Sequence, residues 1–242
     1  MLMEEGKFKL AIVCAVEREA RPLVHGWRVE RRSFEGRGFK FFTSGDTVLV
    51  CSRMGHEAGR RATEAVVQLY GPSLLVSAGY AGALQEGMKV GDIFTPATVI
   101  DGRDSSRIST GQGSGILVSF DEVAGREQKA KLARAYGAQA VDMEGASVGR
   151  GAEKYGLGFT AFKVISDPLD FPMPPITRFI GPQGDLRAGR FVWFLAFRPW
   201  LWSKVLRLAL NCARASKVIA SSLPDVLERL RRERYALQPE MR

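Results

Sequence analysis

The sequence predicts an α/β fold, a largely parallel sheet covered by helices with a helical extension at the carboxyl end. Short apolar, β-branched runs alternate with helix-period segments up to residue 166. Each run ends abruptly in small or charged residues, and after Pro175 only helical segments follow. The 242 residues are 45% hydrophobic and 25% charged, as in ordinary globular chains, and no Ser/Gly tract, Pro-rich run or repeat divides them.

Phe8–Val16 reads as a buried first strand, with the charges of Glu17-Arg18-Glu19 at its carboxyl end. Phe39–Thr43 and Thr47–Cys51, split by Ser44-Gly45-Asp46, read as a hairpin. A helix is expected over 57–70, stopped by Gly71-Pro72, and then a strand over Leu74–Ala78 that runs into a small-residue loop, Gly79–Leu84. Further strands are expected at Asp92–Ile100, Ile116–Phe120, Ala138–Val141 and Phe159–Ile165, and helices at Arg126–Tyr136 and Met143–Tyr155. Beyond residue 166 no strand is expected, and helices around 187–197, 200–220 and 224–235 are separated by Pro199 and Pro224.

Several chemistries drop out. There is no GxxxxGK[ST] and no GxSxG, and Gly111-Gln-Gly113-Ser-Gly115 lacks the spacing of a dinucleotide loop. Two histidines, His25 and His56, and the scattered Cys14, Cys51 and Cys212 offer no metal cluster, so neither a metal nor a cofactor is expected. Reduced thiols, acid rather than base in Met1–Lys7, and an apolar run too short to cross a membrane lead to a cytoplasmic expectation.

Carboxylates remain at strand ends and helix starts: Glu17 and Glu19, Asp142 and Glu144, Asp167 and Asp170. In an α/β sheet these places border the ligand crevice. Asp142 and Glu144 read equally as helix-capping groups, Asp167 before Pro168 as an Asx turn, and His56 as a polar residue at a helix start.

Together the segments AIVCAVEREA (11–20), SRMGHEAGRRAT (52–63), LLVSAGYAGALQEGMKVGDI (74–93), AVDMEGASVGRGAEKYGLGF (140–159) and AFKVISDPLD (161–170) resemble the purine nucleoside phosphorylase superfamily. Within it they are similar to the 5′-methylthioadenosine/S-adenosylhomocysteine nucleosidases. The resemblance implies an α/β/α sandwich around a mixed central sheet, a catalytic domain over 1–175, an extension over 176–242 packed on it, and a homodimer. It implies that Asp167 protonates or hydrogen-bonds N7 of the leaving purine with Ser166 orienting it, that Glu144 grips the ribose hydroxyls with Met143 against the sugar, and that Glu19 activates water. Asp142, Tyr80, Ala81 and Gly82 fall in the matching segments as substrate-binding residues, and Val123 ends the stretch expected to frame the purine. Cleaving a ribosyl–purine bond needs an acid at the base and negative charge near the cationic sugar. An apolar strand end would favour the protonated form of Asp167, and a helix dipole the ionised form of Glu144.

The chain departs from the nucleosidase pattern in four places. It is shorter between Ile93 and Val118, lacks the usual aromatic in Ser119–Val123, has Tyr80 where a small hydroxyl residue is usual, and has Lys163 where arginine is common. If phosphate were the nucleophile, Gly55, His56, Arg18, Arg21 and Lys163 would be its cradle. Glu19 favours water, because a carboxylate repels phosphate but serves water as a base.

Between Leu186 and Tyr235, eleven Lys and Arg face three acids, so +8 of the net +9 lies there. ISDPLDFPMPP, GPQGDLRAGR and FRPWLWSKVLRLALNCARASKVIASSL resemble the hopanoid-associated phosphorylase branch, which implies a lipid-linked adenosyl substrate. Trp193, Trp200 and Trp202 beside Arg190, Arg198, Lys204 and Arg207 fit a segment, 187–207, lying on the inner membrane face. The same residues also suit a helix hairpin packed on the sheet or on a second subunit. Arg229–Arg234 is the best nucleic-acid patch, but no reader motif accompanies it and nucleic acid is not an expected partner. The non-enzyme alternatives are a nucleoside-binding protein and a membrane-surface protein.

Overall fold

Apolar runs too short to be helices pair into one sheet, and helical stripes close both of its faces. The computed structural model of the protein describes residues 10–181 and 183–236, with side chains through 232. Phe8 and Lys9, expected in the first strand, and the side chain of Arg234 lie outside the described residues. The strands are β1 (Leu10–Cys14), β2 (Arg28–Phe34), β3 (Arg37–Ser44), β4 (Thr47–Cys51), β5 (Leu74–Ala83), β6 (Ile93–Phe94), β7 (Thr98–Asp101), β8 (Arg107–Ser109), β9 (Ile116–Ser119), β10 (Ala140–Asp142) and β11 (Gly158–Asp167). The helices are α1 (Glu17–Ala20), α2 (His56–Tyr70), α3 (Arg126–Tyr136), α4 (Gly145–Tyr155), α5 (Ala188–Ala196) and α6 (Trp202–Ala236).

The strand order is β2-β3-β4-β1-β5-β10-β9-β7-β8, with β11 paired to β5 and β6. Parallel pairing links β4, β1, β5 and β11, whereas β5–β10 and the edge hairpins are antiparallel, so the sheet is mixed. Side chains alternate across it. Ala11, Val13 and Leu75 face Ala62, Val66 and Val148 of α2 and α4, while Leu10, Ile12 and Val76 face Ala215, Ile219 and Leu223 of α6. Leu132 of α3 packs with Ile100, Val118 and Val141.

Four expectations are corrected. The loop expected over Gly79–Leu84 is mostly strand, because Gly79–Gly82 go on pairing with β11 and Gly82–Ala83 with β10. The run expected over Asp92–Ile100 is two strands, interrupted at Thr95-Pro96-Ala97. The helix expected from Met143 begins at Gly145. Pro224 does not break α6: Ile219, Leu223, Leu227 and Leu230 form one buried stripe across it, and that packing outweighs the missing hydrogen bond. Strands β2 and β8 escaped the sequence reading; β2 is a polar edge strand with little apolar alternation.

After β11 the chain crosses back over the sheet edge. The Met54 amide donates to the Gly184 carbonyl at 3.1 Å, and Gly184 has φ +75° with its Cα against the Met54 backbone, where a Cβ would lie 2.0 Å from the carbonyl oxygen. Glycine is what lets this strap close on β4's end. Among the described residues no helix is long and apolar enough to cross a membrane.

Leu223→Ala should lower the unfolding free energy by about 2–5 kcal/mol, and Leu206→Ala, on the exposed side of the same helix, by less than about 0.5 kcal/mol. Urea unfolding followed by circular dichroism measures both. Equally small losses would mean that α6 is no part of the core.

Candidate active site

Three strand ends and one helix start bring the expected acids together. Glu19 of α1, Glu144 at the start of α4 and Asp167 at the end of β11 line one cavity of about 170 Å³. Ser166, Tyr80, Ala81 and Gly82 line it from β11 and β5, and Val123, Asp142 and Met143 from the opposite wall. All three acids are buried.

Glu19 folds back over its own short helix. One carboxylate oxygen, Oε2, accepts from the Ala15 amide at 3.0 Å and the Val16 amide at 3.3 Å, while Oε1 accepts from Tyr80 N at 3.5 Å. A Cβ at residue 79 would sit 2.9 Å from Oε2, so Gly79 gives this carboxylate its place. Burial raises Glu19 from 4.5 to about 7, against the opposing pull of Lys163 and the backbone amides.

Glu144 accepts from the Gly55 amide at 2.7 Å and makes no side-chain cap to its helix. The dipole expectation is therefore corrected: burial and the neighbouring Asp142 push Glu144 well above the ordinary carboxylate range. Asp142 does the capping instead, accepting from Gly145 N at 2.8 Å, from the Ser119 hydroxyl at 2.6 Å and from Lys163 at 2.7 Å. Lys163 also donates to Ser77 at 2.9 Å. Burial alone would lower the lysine, but Asp142, Glu144 and Glu19 reverse this and hold it above its ordinary value.

Asp167 is not in purely apolar surroundings. Ser166 donates to its Oδ1 at 2.6 Å, and the Lys129 ammonium is ion-paired with Oδ2. Tyr80 points its hydroxyl to Ser216 of α6 at 2.5 Å, tying β5 to that helix.

The five groups expected to cradle phosphate do not converge. Lys163 is buried against Asp142, the Gly55 amide is bonded to Glu144, and His56 contacts Arg103. Arg18 on α1 and Arg21 just after it are exposed. The sequence reading missed Lys129, Met54, Met173, Ile176, Leu208 and Cys212, which also line the cavity. For Lys129 a signal existed: it sits with Leu132, Ala133 and Tyr136 on the packed stripe of α3, where a lysine has no bland reason to be. The others come from a loop and from distant helices, and no local pattern marks them.

Between about pH 4.5 and 7 the folded chain holds a proton on Glu19 that the unfolded chain has lost. The stability contributed by this group is complete below about 4.5 and is lost as the pH rises through about 7. Glu19→Gln should therefore gain stability relative to the unsubstituted chain across that interval, as read by urea denaturation at each pH. A pH-independent difference would contradict the assignment.

The comparisons agree with this architecture. The family model described as "Phosphorylase superfamily" matches residues 9–123 and 112–177. Helicobacter pylori 5′-methylthioadenosine/S-adenosylhomocysteine nucleosidase, solved in complex with a substituted pyrrolidin-3-ol, superposes with a TM-score of 0.64 at 20% identity, covering 91% of this chain and 99% of that one. The futalosine hydrolase of the same organism gives 0.65 at 19% identity over 90% and 98%. Arabidopsis thaliana 5′-methylthioadenosine nucleosidase also gives 0.65 at 19%, over 90% and 95%. Among curated relatives, the 5′-methylthioadenosine/S-adenosylhomocysteine nucleosidase of Buchnera aphidicola is 29% identical over 91 residues, 36% of this chain, and the match spans 39% of that relative's length. By the family match over most of its length, and by a fold that agrees, the chain belongs to the phosphorylase superfamily.

Proposed function

We propose that the protein hydrolyses the N-ribosyl bond of an adenosine-like purine nucleoside. The observation that carries this reading is the meeting of Glu19, Glu144 and Asp167 around one cavity. As the C1′–N9 bond breaks, its electron pair passes to the purine and Asp167 gives a proton to N7, with Ser166 steadying the carboxyl. Glu144 binds the 2′- and 3′-hydroxyls and sets its carboxyl oxygens beside the positive charge growing on the sugar. Glu19, poised at about 7, takes the proton of the water that attacks C1′. The products are the free base and a free sugar that keeps whatever group stands at its 5′ position. Water is favoured over phosphate because the cations that would hold phosphate are paired elsewhere or lie outside the cavity.

The substrate's 5′ substituent is apolar in this reading, since Met173, Ile176 and Leu208 form the wall toward α6. Next to that wall, α5 and the start of α6 expose Trp193 (70%), Trp200 (67%), Trp202, Leu206 and Leu210, with Arg190, Arg198, Lys204 and Arg207 among them. Interfacial aromatics flanked by cations suit an anionic lipid surface, so segment 187–207 docks on the membrane and a lipid-linked nucleoside enters from it.

Incubation with adenosine, methylthioadenosine and a lipid-linked adenosine, with and without phosphate, should yield adenine and the free sugar that still carries its 5′ substituent (ribose itself only from adenosine) regardless of phosphate; the corresponding sugar 1-phosphate would replace hydrolysis by phosphorolysis. Asp167→Asn should lower turnover by about 10²- to 10⁴-fold. In sedimentation assays the chain should accompany phosphatidylserine vesicles but not neutral ones, and a Trp193→Ala/Trp200→Ala chain should stay in the supernatant. Equal recovery of both chains would remove the membrane contact.

A further inference from the structure

Among the described residues two lysines, Lys129 and Lys163, are almost fully buried. Lys163 neutralises the carboxylates at the sugar end of the cavity. Lys129 has no place in the steps above, although burying an ammonium without partners is strongly unfavourable.

Its three donors are all engaged. Nζ is bonded to Asp167 Oδ2, to the Pro168 carbonyl at 2.8 Å and to the Asp167 carbonyl at 3.3 Å. The side chain crosses from α3 to the end of β11, and Gly82 makes room for it: a Cβ there would lie 2.9 Å from Asp167 Oδ2 and 3.0 Å from Lys129 Cε. The packing of Leu132 against Ile100, Val118 and Val141 seats α3 on the sheet and so sets the distance. Asp167 is thus held at both oxygens, by a hydroxyl on Oδ1 and an ammonium on Oδ2. Two fixed donors leave the carboxyl group no freedom to turn about its last torsion.

We infer that Lys129 is a positioning residue for Asp167: through its contacts with Oδ2 and the Asp167 and Pro168 carbonyls it fixes the plane of the carboxyl group toward the purine. This rests on the hydrolytic reading above. The bond changes are those already given; Lys129 keeps its three protons throughout and supplies charge and orientation alone.

A double-mutant cycle on adenine release tests this. Lys129→Met should reduce kcat by about 10- to 100-fold, the scale of a misplaced catalytic group, with KM within about threefold. On the Asp167→Asn background the same change should remove less than about threefold more, because the group through which Lys129 acts is already gone. Stranding the Asp167 charge endangers folding in the single variant, so Lys129→Arg, which keeps the charge and shifts its position, should show an intermediate kcat with the thermal unfolding midpoint nearly unchanged. Equal losses on both backgrounds, or an unaltered kcat in Lys129→Met and Lys129→Arg, would overturn the inference while leaving the hydrolytic reading intact. An unsubstituted chain that releases no base from any nucleoside offered would overturn both.

Discussion

The ammonium of Lys163 is the charge that balances the buried carboxylates beside the cavity. Asp142, Glu144 and Glu19 come from three different elements and are all buried at one edge of the sheet. Three carboxylates so placed repel one another and lose their hydration. Lys163, pointing from β11 and bonded to Asp142 and Ser77, offsets both effects at the centre of the group. Its compensation is partial. Glu19 and Glu144 remain raised because burial outweighs the attraction, and a carboxylate close to neutrality can exchange protons.

Asp142 shows how structural and chemical duties are divided among neighbouring acids. It caps α4, pairs with Lys163 and accepts from Ser119, so its oxygens are committed before any ligand arrives. Glu144, two residues on, accepts a single amide hydrogen bond and keeps the remainder of its carboxylate for the cavity. The helix-capping reading holds for Asp142 and not for Glu144.

The second face of the sheet supplies a further wall of the cavity. Helix α6 gives Ala215, Ile219 and Leu223 to the core and Leu208 and Cys212 to the cavity wall, while Leu206 and Leu210 remain exposed. One helix therefore closes the core, lines the site and presents apolar surface outside it. The strap held by Met54 and Gly184 brings Met173 and Ile176 over the same wall.

Much of this was legible in the sequence. Leu10–Cys14, Thr47–Cys51 and Arg126–Tyr136 follow from local apolar period and turn residues, because buried strands and amphipathic helices write their own periodicity. The acids could be named because they stand at the ends of such runs. What sequence could not decide was partnership: that Lys163 would bind Asp142 rather than a ligand, that Lys129 would cross from α3 to Asp167, and that α6 would run straight through Pro224. Those outcomes depend on groups far apart in the chain, and electrostatic pairing and core packing act through distance in space, which local pattern does not encode.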